Sequence, residues 1–475
     1  MNILFASSEI FPYAKSGGLA DVAYALPQAL RESKTVYTVM PLYDIVNRKK
    51  HNIVDSGITF CHTLKGVTHQ FDLFYKEDCP KDWFIYNPIL CGRTGLYHDR
   101  YGEFGDNALR FGLFSYAIIE MVNVMKLSID VFHINDWQTS LVALLAKTKY
   151  HLPQKIVLTL HNLAYQGIFD KSVMNELQLD WEACFKFDGI EYFDSVNFLK
   201  AGINYSDAIT TVSASYAQEI QTPLFGCGLD ETLKSNSHKL IGILNGISTE
   251  VFNPKTDEFL FKNYDQESLK DKKINKTKLL NAFNMKDDSK ALFVFVGRLT
   301  HQKGVDLLLE SLHILKDFEA NFIILGEGEP YYNERFKQFQ NQYDSIHIEV
   351  GYNEELSRKL YAAADFLLMP SIFEPCGLNQ MIAMRYGAMP IVSKTGGLKD
   401  TVLDFTDINT PKTSGGVGIT FEEHNLFWFL HAIGKAFSLY GNDAKFKSLI
   451  QHNMGVDFSW KSSAQLYLQL YKEAK

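Results

Sequence analysis

The sequence predicts an α/β fold built from two doubly wound, Rossmann-like domains. The chain has 475 residues, which is too long for one compact core and suits two large domains. Short apolar runs alternate with helical patterns in both halves, as they do when parallel strands are joined by helices. A polar, lysine-rich interval at 253–289 separates the two series, and we place the domain junction just before it, near Asn245.

The apolar runs predict the strands of two parallel sheets. In the first half they lie at 2–7, 36–40, 131–134, 155–160, 208–212 and 239–244. In the second half they lie at 291–296, 321–325, 346–350, 366–369 and 390–393. A closing amphipathic helix is predicted at 458–475, where Leu466, Tyr467, Leu470 and Tyr471 recur at helical spacing. The predicted domains are therefore 1–245 together with 457–475, and 246–456.

Composition and charge argue against several classes of protein. Hydrophobic residues make up 46% of the chain and charged residues 21%, which is ordinary for a globular protein. The net charge of −8 argues against nucleic acid or an anionic membrane as the main partner, because both select a basic surface. The six cysteines have no Cys-x-x-Cys spacing, and neither a signal peptide nor a segment of transmembrane length is evident. We expect a cytoplasmic protein without a zinc site or a disulfide framework.

A loop of the form Lys-Ser/Thr-Gly-Gly-Leu occurs twice, at 15–19 and at 394–398, each time before a helical pattern. Paired glycines let backbone amides approach an anion closely, and the N-terminus of the helix adds a partial positive charge. Both loops are therefore candidate phosphate sites, with the glycine pairs 17–18 and 396–397 at their centres. The alternative is that each pair only makes a tight turn.

A loop at 296–304 follows an apolar strand and precedes a helical pattern at 305–315. Arg298 and Lys303 project from this loop, so two fixed cations could neutralise a leaving pyrophosphate. The alternative is a solvated loop with ordinary surface charges.

Glu374 lies in the segment 371–378, which follows the predicted strand 366–369 and begins a helix that runs to about Arg385. A carboxylate at this position could accept hydrogen bonds from a sugar. The alternative is a capping carboxylate that satisfies free amides at the start of the helix.

Polar side chains also follow two strands of the first half. His133 and Asp136 occupy the segment 133–138, and His161 and Asn162 occupy the segment 159–167. A histidine at such a position is more often a hydrogen-bonded structural residue than a catalyst. The two histidines lack the spacing of a metal pair, and no Asp-x-Asp occurs in the chain, which disfavours a metal-held nucleotide-sugar. Neither a Walker loop nor Gly-x-Gly-x-x-Gly is present, so a kinase or a dinucleotide enzyme is disfavoured.

Seven motifs taken together resemble the bacterial glycogen synthase and plant starch synthase family. In chain order they are Lys15-Ser-Gly-Gly-Leu-Ala-Asp, His133-x-Asn-Asp-Trp-Gln, His161-Asn-Leu-Ala-Tyr-Gln-Gly, Leu244-Asn-Gly-Ile, Gly297-Arg-Leu-x-x-Gln-Lys-Gly, Glu374-Pro-Cys-Gly-Leu and Thr395-Gly-Gly-Leu. The likeness spans nearly the whole chain and extends to the closing Phe-Ser-Trp at 458–460.

The resemblance implies a GT-B fold, in which two Rossmann-like domains face each other across a cleft and the final helix returns to the N-terminal domain. It also implies a retaining transfer of glucose from a nucleotide-glucose, usually ADP-glucose, to the non-reducing 4-hydroxyl of an α-1,4-glucan such as glycogen. No cofactor and no metal are expected. Opposed domains joined near Asn245 and Asp457 can hinge, which would bring Lys15 towards Arg298 and Lys303.

The resemblance further implies roles for individual residues. Counterparts of Lys15, Arg298 and Lys303 hold the donor phosphates, and those of Glu374 and His161 contact the transferred glucose. The remaining implied site residues are Asp136 and Asn162 beside the sugar, Tyr352 stacked on the adenine, and Gly17, Gly18, Asp21, Asn245, Cys376, Gly377, Leu378, Thr395, Gly396 and Gly397 around the donor.

Two departures from the family pattern bear on the site. Ser16 stands where the family usually has threonine, and Ile382 replaces the second glutamate of the Glu-x7-Glu pattern of related GT-B transferases, which leaves the ribose contact unassigned. Two alternatives stay open: a GT-B transferase that uses UDP-glucose or forms a disaccharide, and an inactive homologue that only binds its ligands.

Overall fold

The computed structural model describes residues 1–285, 289–340, 342–407 and 415–474. The chain divides into two compact units, Met1–Asn245 with Trp460–Lys475, and Gly246–Ser459. Residues 286–288 of the predicted polar interval, and Lys475 at the end of the predicted closing helix, lie outside the described residues.

As far as the structure describes it, the first unit contains one large sheet of nine strands and two small sheets. The strands of the first unit are β1 Asn2–Ala6, β2 Thr35–Pro41, β3 Ile53–Leu64, β4 Val67–Lys76, β5 Cys79–Tyr86, β6 His98–Asp99, β7 Gly102–Glu103, β8 Val131–Asn135, β9 Lys155–Leu160, β10 Ile168–Asp170, β11 Glu191–Tyr192, β12 Ser195–Asn197, β13 Ala208–Thr211 and β14 Leu240–Gly242. The large sheet has the order β14-β13-β9-β8-β1-β2-β5-β4-β3.

The prediction of a purely parallel first sheet is wrong at one edge. Strands β14 through β5 in that order pair in parallel, but β4 pairs antiparallel with both β5 and β3. Residues in β3 alternate between buried and exposed, as in a strand covered on one face only. Lys65 and Gly66 connect β3 to β4 with φ angles of 49° and 78°, the left-handed pair that a tight hairpin requires.

Helices cover the sheet of the first unit. They are α1 Gly18–Arg31, α2 Pro88–Cys91, α3 Asn107–Val124, α4 Asp136–Thr148, α5 Val173–Glu176, α6 Trp181–Cys184, α7 Phe198–Tyr205, α8 Ala214–Glu219 and α9 Asp230–Ser235.

The described residues of the second unit form one sheet of seven parallel strands. The strands are β15 Ala291–Val296, β16 Ala320–Gly326, β17 Ile346–Val350, β18 Phe366–Met369, β19 Met389–Ser393, β20 Val402–Asp404 and β21 Gly416–Phe421, and their order is β17-β16-β15-β18-β19-β21-β20. Its helices are α10 Lys272–Ala282, α11 Val305–Leu315, α12 Pro330–Phe339, α13 Glu354–Ala363, α14 Asn379–Arg385, α15 Gly396–Thr401, α16 Leu426–Tyr440 and α17 Asp443–Gly455. This arrangement confirms the predicted two-domain α/β class.

The last helix, α18 Trp460–Glu473, belongs to the first unit. Trp460, Tyr467 and Tyr471 are buried in the same hydrophobic core as α1, whereas Leu466, which the sequence places on the apolar face, is 48% exposed. The Tyr471 hydroxyl reaches Nδ1 of His133 in β8 at 2.5 Å. The helix is thus attached to the centre of the large sheet. Among the described residues, no helix is long and apolar enough to cross a membrane.

Both large sheets contain a point where the strand order reverses. In the first unit the chain runs outward from β1 to β2 and then returns to β8 on the other side of β1. In the second unit it runs from β15 through β16 to β17 and returns to β18 beside β15. Loops at the carboxyl ends of strands beside such a reversal diverge and leave a crevice, which is where ligands bind in doubly wound folds. Each unit therefore has its own crevice beside the reversal.

Candidate active site

Most of the residues predicted from sequence collect at these two crevices. In the first unit, segment 15–21 follows β1, Asp136 follows β8, and His161 with Asn162 follows β9. We call this group of residues the first half-site. In the second unit, loop 297–303 follows β15, segment 371–378 follows β18, and segment 395–397 follows β19. We call this group the second half-site.

The first glycine loop leads directly into α1. Gly17 precedes the helix in an extended conformation, and α1 is long enough for its N-terminus to attract an anion. A Cβ atom added to Gly17 or Gly18 would have no neighbour within 4 Å, and neither residue has a positive φ angle. Neither the backbone nor the packing therefore requires glycine here, and the alternative of a turn built only for the fold loses its physical basis. Lys15 forms an ion pair with Asp21 at 2.9 Å.

Asp136 and His161 are held together by the backbone. Asp136 begins α4 with a φ angle of 52°, and its Oδ1 accepts a hydrogen bond of 2.8 Å from the backbone N–H of His161. Burial raises the pKa of Asp136 to about 7 against the lowering effect of the His161 and Asn162 amides. Burial also lowers the pKa of His161 to about 3, so its imidazole is neutral. Asn162 follows in the same loop, half-buried, and its side chain accepts from the N–H of Ala164.

Glu9 is a site residue that sequence reasoning missed. It is 2% exposed and lies beneath the glycine loop, where its Oε2 accepts a hydrogen bond of 2.5 Å from the N–H of Ser16. Burial raises its pKa to about 7, and its charge interacts with that of Asp136. The sequence shows only a single glutamate shortly after the first apolar run, and no local pattern distinguishes such a glutamate from a surface residue.

His133 has a structural role, as the sequence favoured. Its Nδ1 meets the hydroxyl of Tyr471 at 2.5 Å, and its Nε2 meets the hydroxyl of Thr159 at 2.7 Å. Burial, with a smaller contribution from the nearby His161, lowers its pKa to about 3. Both nitrogens are occupied by protein groups, so His133 links α18 to β9 beneath the half-site.

The second half-site is organised by an ion pair. Nζ of Lys303 lies 2.5 Å from Oε2 of Glu374, and the hydroxyl of Ser371 donates to the same oxygen at 3.1 Å. Gly304 makes the approach possible: its φ angle is 69°, and a Cβ atom there would lie 1.7 Å from the carbonyl oxygen of Pro370. The loop after β15 can therefore pack against the end of β18 only with glycine at this position.

Arg298 precedes this pair and differs from it in exposure. Its side chain is exposed, and within the described part of the chain no acidic side chain pairs with its guanidinium. Lys303 is 19% exposed and Glu374 8%. The half-site thus offers one solvated cation and one cation already engaged by a carboxylate.

The expectation that the segment 371–378 begins a helix, with Glu374 near its N-terminus, is wrong. Helix α14 begins at Asn379, and Gly377 interrupts the intervening segment with a φ angle of 72°. Glu374 is therefore not a capping residue, and its carboxylate is directed to Lys303 and Ser371. The alternative that Glu374 only caps the start of a helix is therefore excluded.

The second glycine loop packs on the segment that carries Glu374. The N–H of Gly397 donates to the carbonyl oxygen of Glu374 at 3.0 Å, and a Cβ atom on Gly397 would lie 2.2 Å from the carbonyl oxygen of Cys376. Gly396 has a φ angle of 43°. Thr395 is 6% exposed, and its hydroxyl has no described hydrogen-bond partner. Here the glycines are required by the fold, unlike those of the first loop.

Lys394 takes no part in this arrangement, because it pairs with Glu422. The following helix α15 has only six residues. Cys376 is buried, and Leu378 lies half-buried directly before α14.

Two further predicted residues stand apart. Tyr352 follows the edge strand β17, is 74% exposed, and donates its hydroxyl to Glu354 at 2.8 Å. Asn245, at the end of the first unit, is 7% exposed, and its Oδ1 has no described hydrogen-bond partner. Within the described ranges, no three histidine, cysteine, aspartate or glutamate side chains are grouped as metal ligands.

Comparison with known families covers most of the chain. Residues 2–235 match the starch synthase catalytic domain, and residues 276–410 match the glycosyl transferases of group 1. A glycogen synthase of Aquifex aeolicus is 42% identical over 476 residues, covering 100% of this chain and 99% of the relative. A glycogen synthase of Caldicellulosiruptor bescii is 39% identical, covering 99% of each chain.

The chain belongs to the glycogen synthase and starch synthase family. Among solved structures, the catalytic domain of starch synthase IV from Arabidopsis thaliana, bound to ADP and acarbose, superposes with a TM-score of 0.92. It is 34% identical and covers 100% of this chain and 99% of its own. A sucrose-phosphate synthase from Thermosynechococcus elongatus has a TM-score of 0.63 at 16% identity, with 99% of this chain and 98% of that chain covered, and so shares the fold alone. The GT-B fold and the family resemblance are confirmed.

Proposed function

We propose that this chain is a glycogen synthase that transfers glucose from ADP-glucose to the non-reducing 4-hydroxyl of an α-1,4-glucan, with retention of configuration. The observation that carries the proposal is full-length likeness: 42% identity to a glycogen synthase, and a TM-score of 0.92 to a starch synthase domain bound to ADP and acarbose. Residues 246–456 would bind the nucleotide-sugar and the first unit would bind the acceptor.

The second half-site suits the departure of a diphosphate. In the transfer, the bond from the anomeric carbon to the diphosphate oxygen breaks, the bond to the acceptor oxygen forms, and the acceptor proton passes to the departing phosphate. Negative charge therefore grows on the diphosphate. Arg298 and Lys303, in the loop after β15, would stabilise this charge as cations, and Lys15 would add a third. In this proposal the three cations neutralise the phosphates, and no metal is assigned that role.

The sugar itself would be held by uncharged and acidic groups. Glu374 can accept hydrogen bonds from glucose hydroxyls once Lys303 turns to the phosphate, and His161 would contact the same sugar from the first half-site. Asp136 and Asn162 would line this position. Tyr352 is exposed enough to stack on a base, and Thr395 offers a buried hydroxyl beside the donor loop.

Donor and acceptor assays test this proposal. The purified chain would be incubated with glycogen and radiolabelled ADP-glucose or UDP-glucose, and label in the polymer would be measured, with Glu374→Gln as the inactive control. We expect incorporation from ADP-glucose that a glucosidase specific for α-1,4 linkages removes. Transfer mainly from UDP-glucose, or to a small sugar instead of glycogen, would favour the disaccharide or UDP-glucose alternative. An absence of transfer from both donors would leave an inactive homologue. Cytoplasmic location stays a prediction.

A further inference from the structure

Asn135 closes strand β8 one residue before Asp136 and contacts His161 directly. Its side chain is 1% exposed. Its Nδ2 donates to the carbonyl oxygen of Ala6 in β1 at 2.9 Å, and its Oδ1 lies 2.9 Å from Nε2 of His161. Because the amino group of the amide is used on a carbonyl, the orientation of the amide is settled, and only its oxygen faces the imidazole.

This orientation determines which imidazole nitrogen carries the proton. An amide oxygen can only accept, so Nε2 of His161 must be the donor, and Nδ1 of the neutral ring keeps a free lone pair. Burial lowers the pKa of His161 to about 3, which agrees with a neutral ring. The backbone N–H of His161 is held by Asp136 at 2.8 Å, so both ring and backbone have fixed partners.

The backbone of Asn135 is also fixed, because the side chain of Thr139 bonds to both its N–H and its carbonyl group. The hydroxyl of Thr139 donates to the backbone carbonyl of Asn135 at 2.8 Å and accepts from its N–H at 2.7 Å. The strand lies in the middle of the large sheet, between β1 and β9. A side chain on such an element keeps its direction better than one on a loop.

We propose that Asn135 is a positioning residue, which fixes His161 as the Nε2–H tautomer and so presents Nδ1 as a hydrogen-bond acceptor to a hydroxyl of the transferred sugar. The role at the sugar rests on the proposed function, whereas the tautomer does not. An aspartate at position 135 would instead stabilise a doubly protonated ring, which can only donate. The amide is thus the side chain that keeps the ring neutral and singly oriented.

Other titratable groups near His161 come from three elements. Asp136 from α4 bonds its backbone N–H, His133 from β8 interacts with it electrostatically, and Glu9 after β1 interacts with Asp136. The carboxyls of Asp136 and Glu9 keep protons to about pH 7, and His133 is neutral. Asn135 cannot ionise, and unlike these three groups its side chain is hydrogen-bonded to the imidazole ring.

Nitrogen-15 NMR of labelled histidines tests the tautomer without any assay of activity. The resonances of His161 would be assigned by their loss in His161→Gln. We expect the wild type to show a protonated Nε2 and an unprotonated Nδ1 from about pH 6 to pH 8. In Asn135→Asp, a protonated Nδ1 should appear in the same interval. A wild-type ring protonated at Nδ1, or an unchanged spectrum in Asn135→Asp, would overturn the proposal.

Steady-state kinetics then distinguishes a positioning role of Asn135 from a role in protein stability alone. Asn135→Leu should lower kcat by at least about 10-fold with little change in KM for ADP-glucose, since a misoriented catalytic group costs rate rather than ground-state binding. Asn135→Asp should restore activity at high pH and lose it as the ring gains a proton, which adds an acidic limb to the kcat profile. Equal activity of Asn135→Leu and the wild type would contradict the role at the sugar.

Asn47→Asp is the control for the same chemical change. Asn47 lies in the same unit, is exposed, and its side chain only accepts, from the N–H of Lys50 at 3.0 Å. A carboxylate can accept this hydrogen bond as well as an amide does, so neither the pH profile nor the spectrum of His161 should change. If the wild type transferred no glucose, the proposed function would fail while the NMR result still decided the tautomer.

Discussion

The two half-sites occupy equivalent places in their sheets but hold their side chains by different means. The first relies on three buried groups whose pKa values burial shifts towards the uncharged form, Glu9, Asp136 and His161. The second relies on a charged pair, Lys303 with Glu374, beside the exposed Arg298. Burial favours the uncharged form of each acid or base, whereas a close partner of opposite charge favours the charged form.

The same contrast separates the two glycine loops. Their sequences agree, yet Gly17 and Gly18 have open space where a side chain would be, and Gly397 is packed against the backbone of Cys376. The fold does not require glycine at Gly17 and Gly18, which suggests that these glycines serve a ligand. The fold does require glycine at Gly397, because the second loop packs directly against the segment that contains Cys376. A repeated motif therefore does not imply a repeated role.

The largest expected effect concerns the charged pair. Glu374→Gln keeps the shape and the contact with Ser371 but removes the charge opposite Lys303. We expect kcat to fall by about 10²- to 10³-fold, with the affinity for ADP nearly unchanged, because the carboxylate serves the sugar. Steady-state kinetics and calorimetric titration with ADP measure the two quantities. Glu422→Gln, which removes the partner of Lys394 outside the half-site, should leave both unchanged. An equal loss of turnover and ADP affinity would give Glu374 a structural role.

The two glycine loops can be compared by one substitution in each. Gly397→Ala places a Cβ atom 2.2 Å from a backbone oxygen and should lower the free energy of unfolding by about 1–3 kcal/mol. Gly17→Ala should change stability by less than about 0.5 kcal/mol, since its φ angle of −158° suits any residue. Gly17→Ala should instead raise KM for ADP-glucose. Denaturant unfolding and kinetics decide the matter, and an unchanged KM in Gly17→Ala would remove the first loop from the donor site.

The raised pKa of buried Glu9 predicts that the free energy of unfolding depends on pH. The folded-state pKa of Glu9 lies above its unfolded value of 4.5, at about 7, so folding takes up a proton between these values. Its contribution to stability therefore falls as pH rises from about 4.5 to about 7, by up to about 1.4 kcal/mol per pH unit. In Glu9→Gln, which mimics the protonated acid, this loss should be absent. Unfolding of both proteins across pH 4 to 8 measures the difference, and parallel curves would mean that Glu9 is ionised in the folded state.

The last expected effect concerns the closing helix and is confined to stability. Tyr471→Phe removes the hydroxyl that meets His133 while keeping the buried ring. We expect a loss of about 1–2 kcal/mol in unfolding free energy and no change in kcat, because His133 supports the sheet and does not touch the sugar. Thermal unfolding and the glycogen assay test this. A fall in kcat without a fall in stability would show that α18 acts on the half-site.

Much of the fold could be predicted from sequence because apolar runs and helical periodicity are local properties of the chain. The strands Lys155–Leu160, Ala291–Val296 and Ile346–Val350 agree with their apolar runs to the residue, as does the helix Val305–Leu315. Continuous apolar runs between helical patterns are specific to parallel strands buried on both faces. The segment 53–86 escaped prediction because half-exposed antiparallel strands alternate polar and apolar residues and resemble surface loops.

By itself, the sequence determined the family, the α/β class and most of the side chains at the strand ends, because motif order and apolar periodicity are properties of the chain. Only the tertiary structure decided how those side chains are paired. Lys303 and Glu374 are 71 residues apart, Asn135 and His161 are 26 apart, and Tyr471 reaches His133 across 338. The burial that raises the pKa of Glu9 arises from elements that meet only after folding, since desolvation depends on everything surrounding a group and not on its neighbours in the chain.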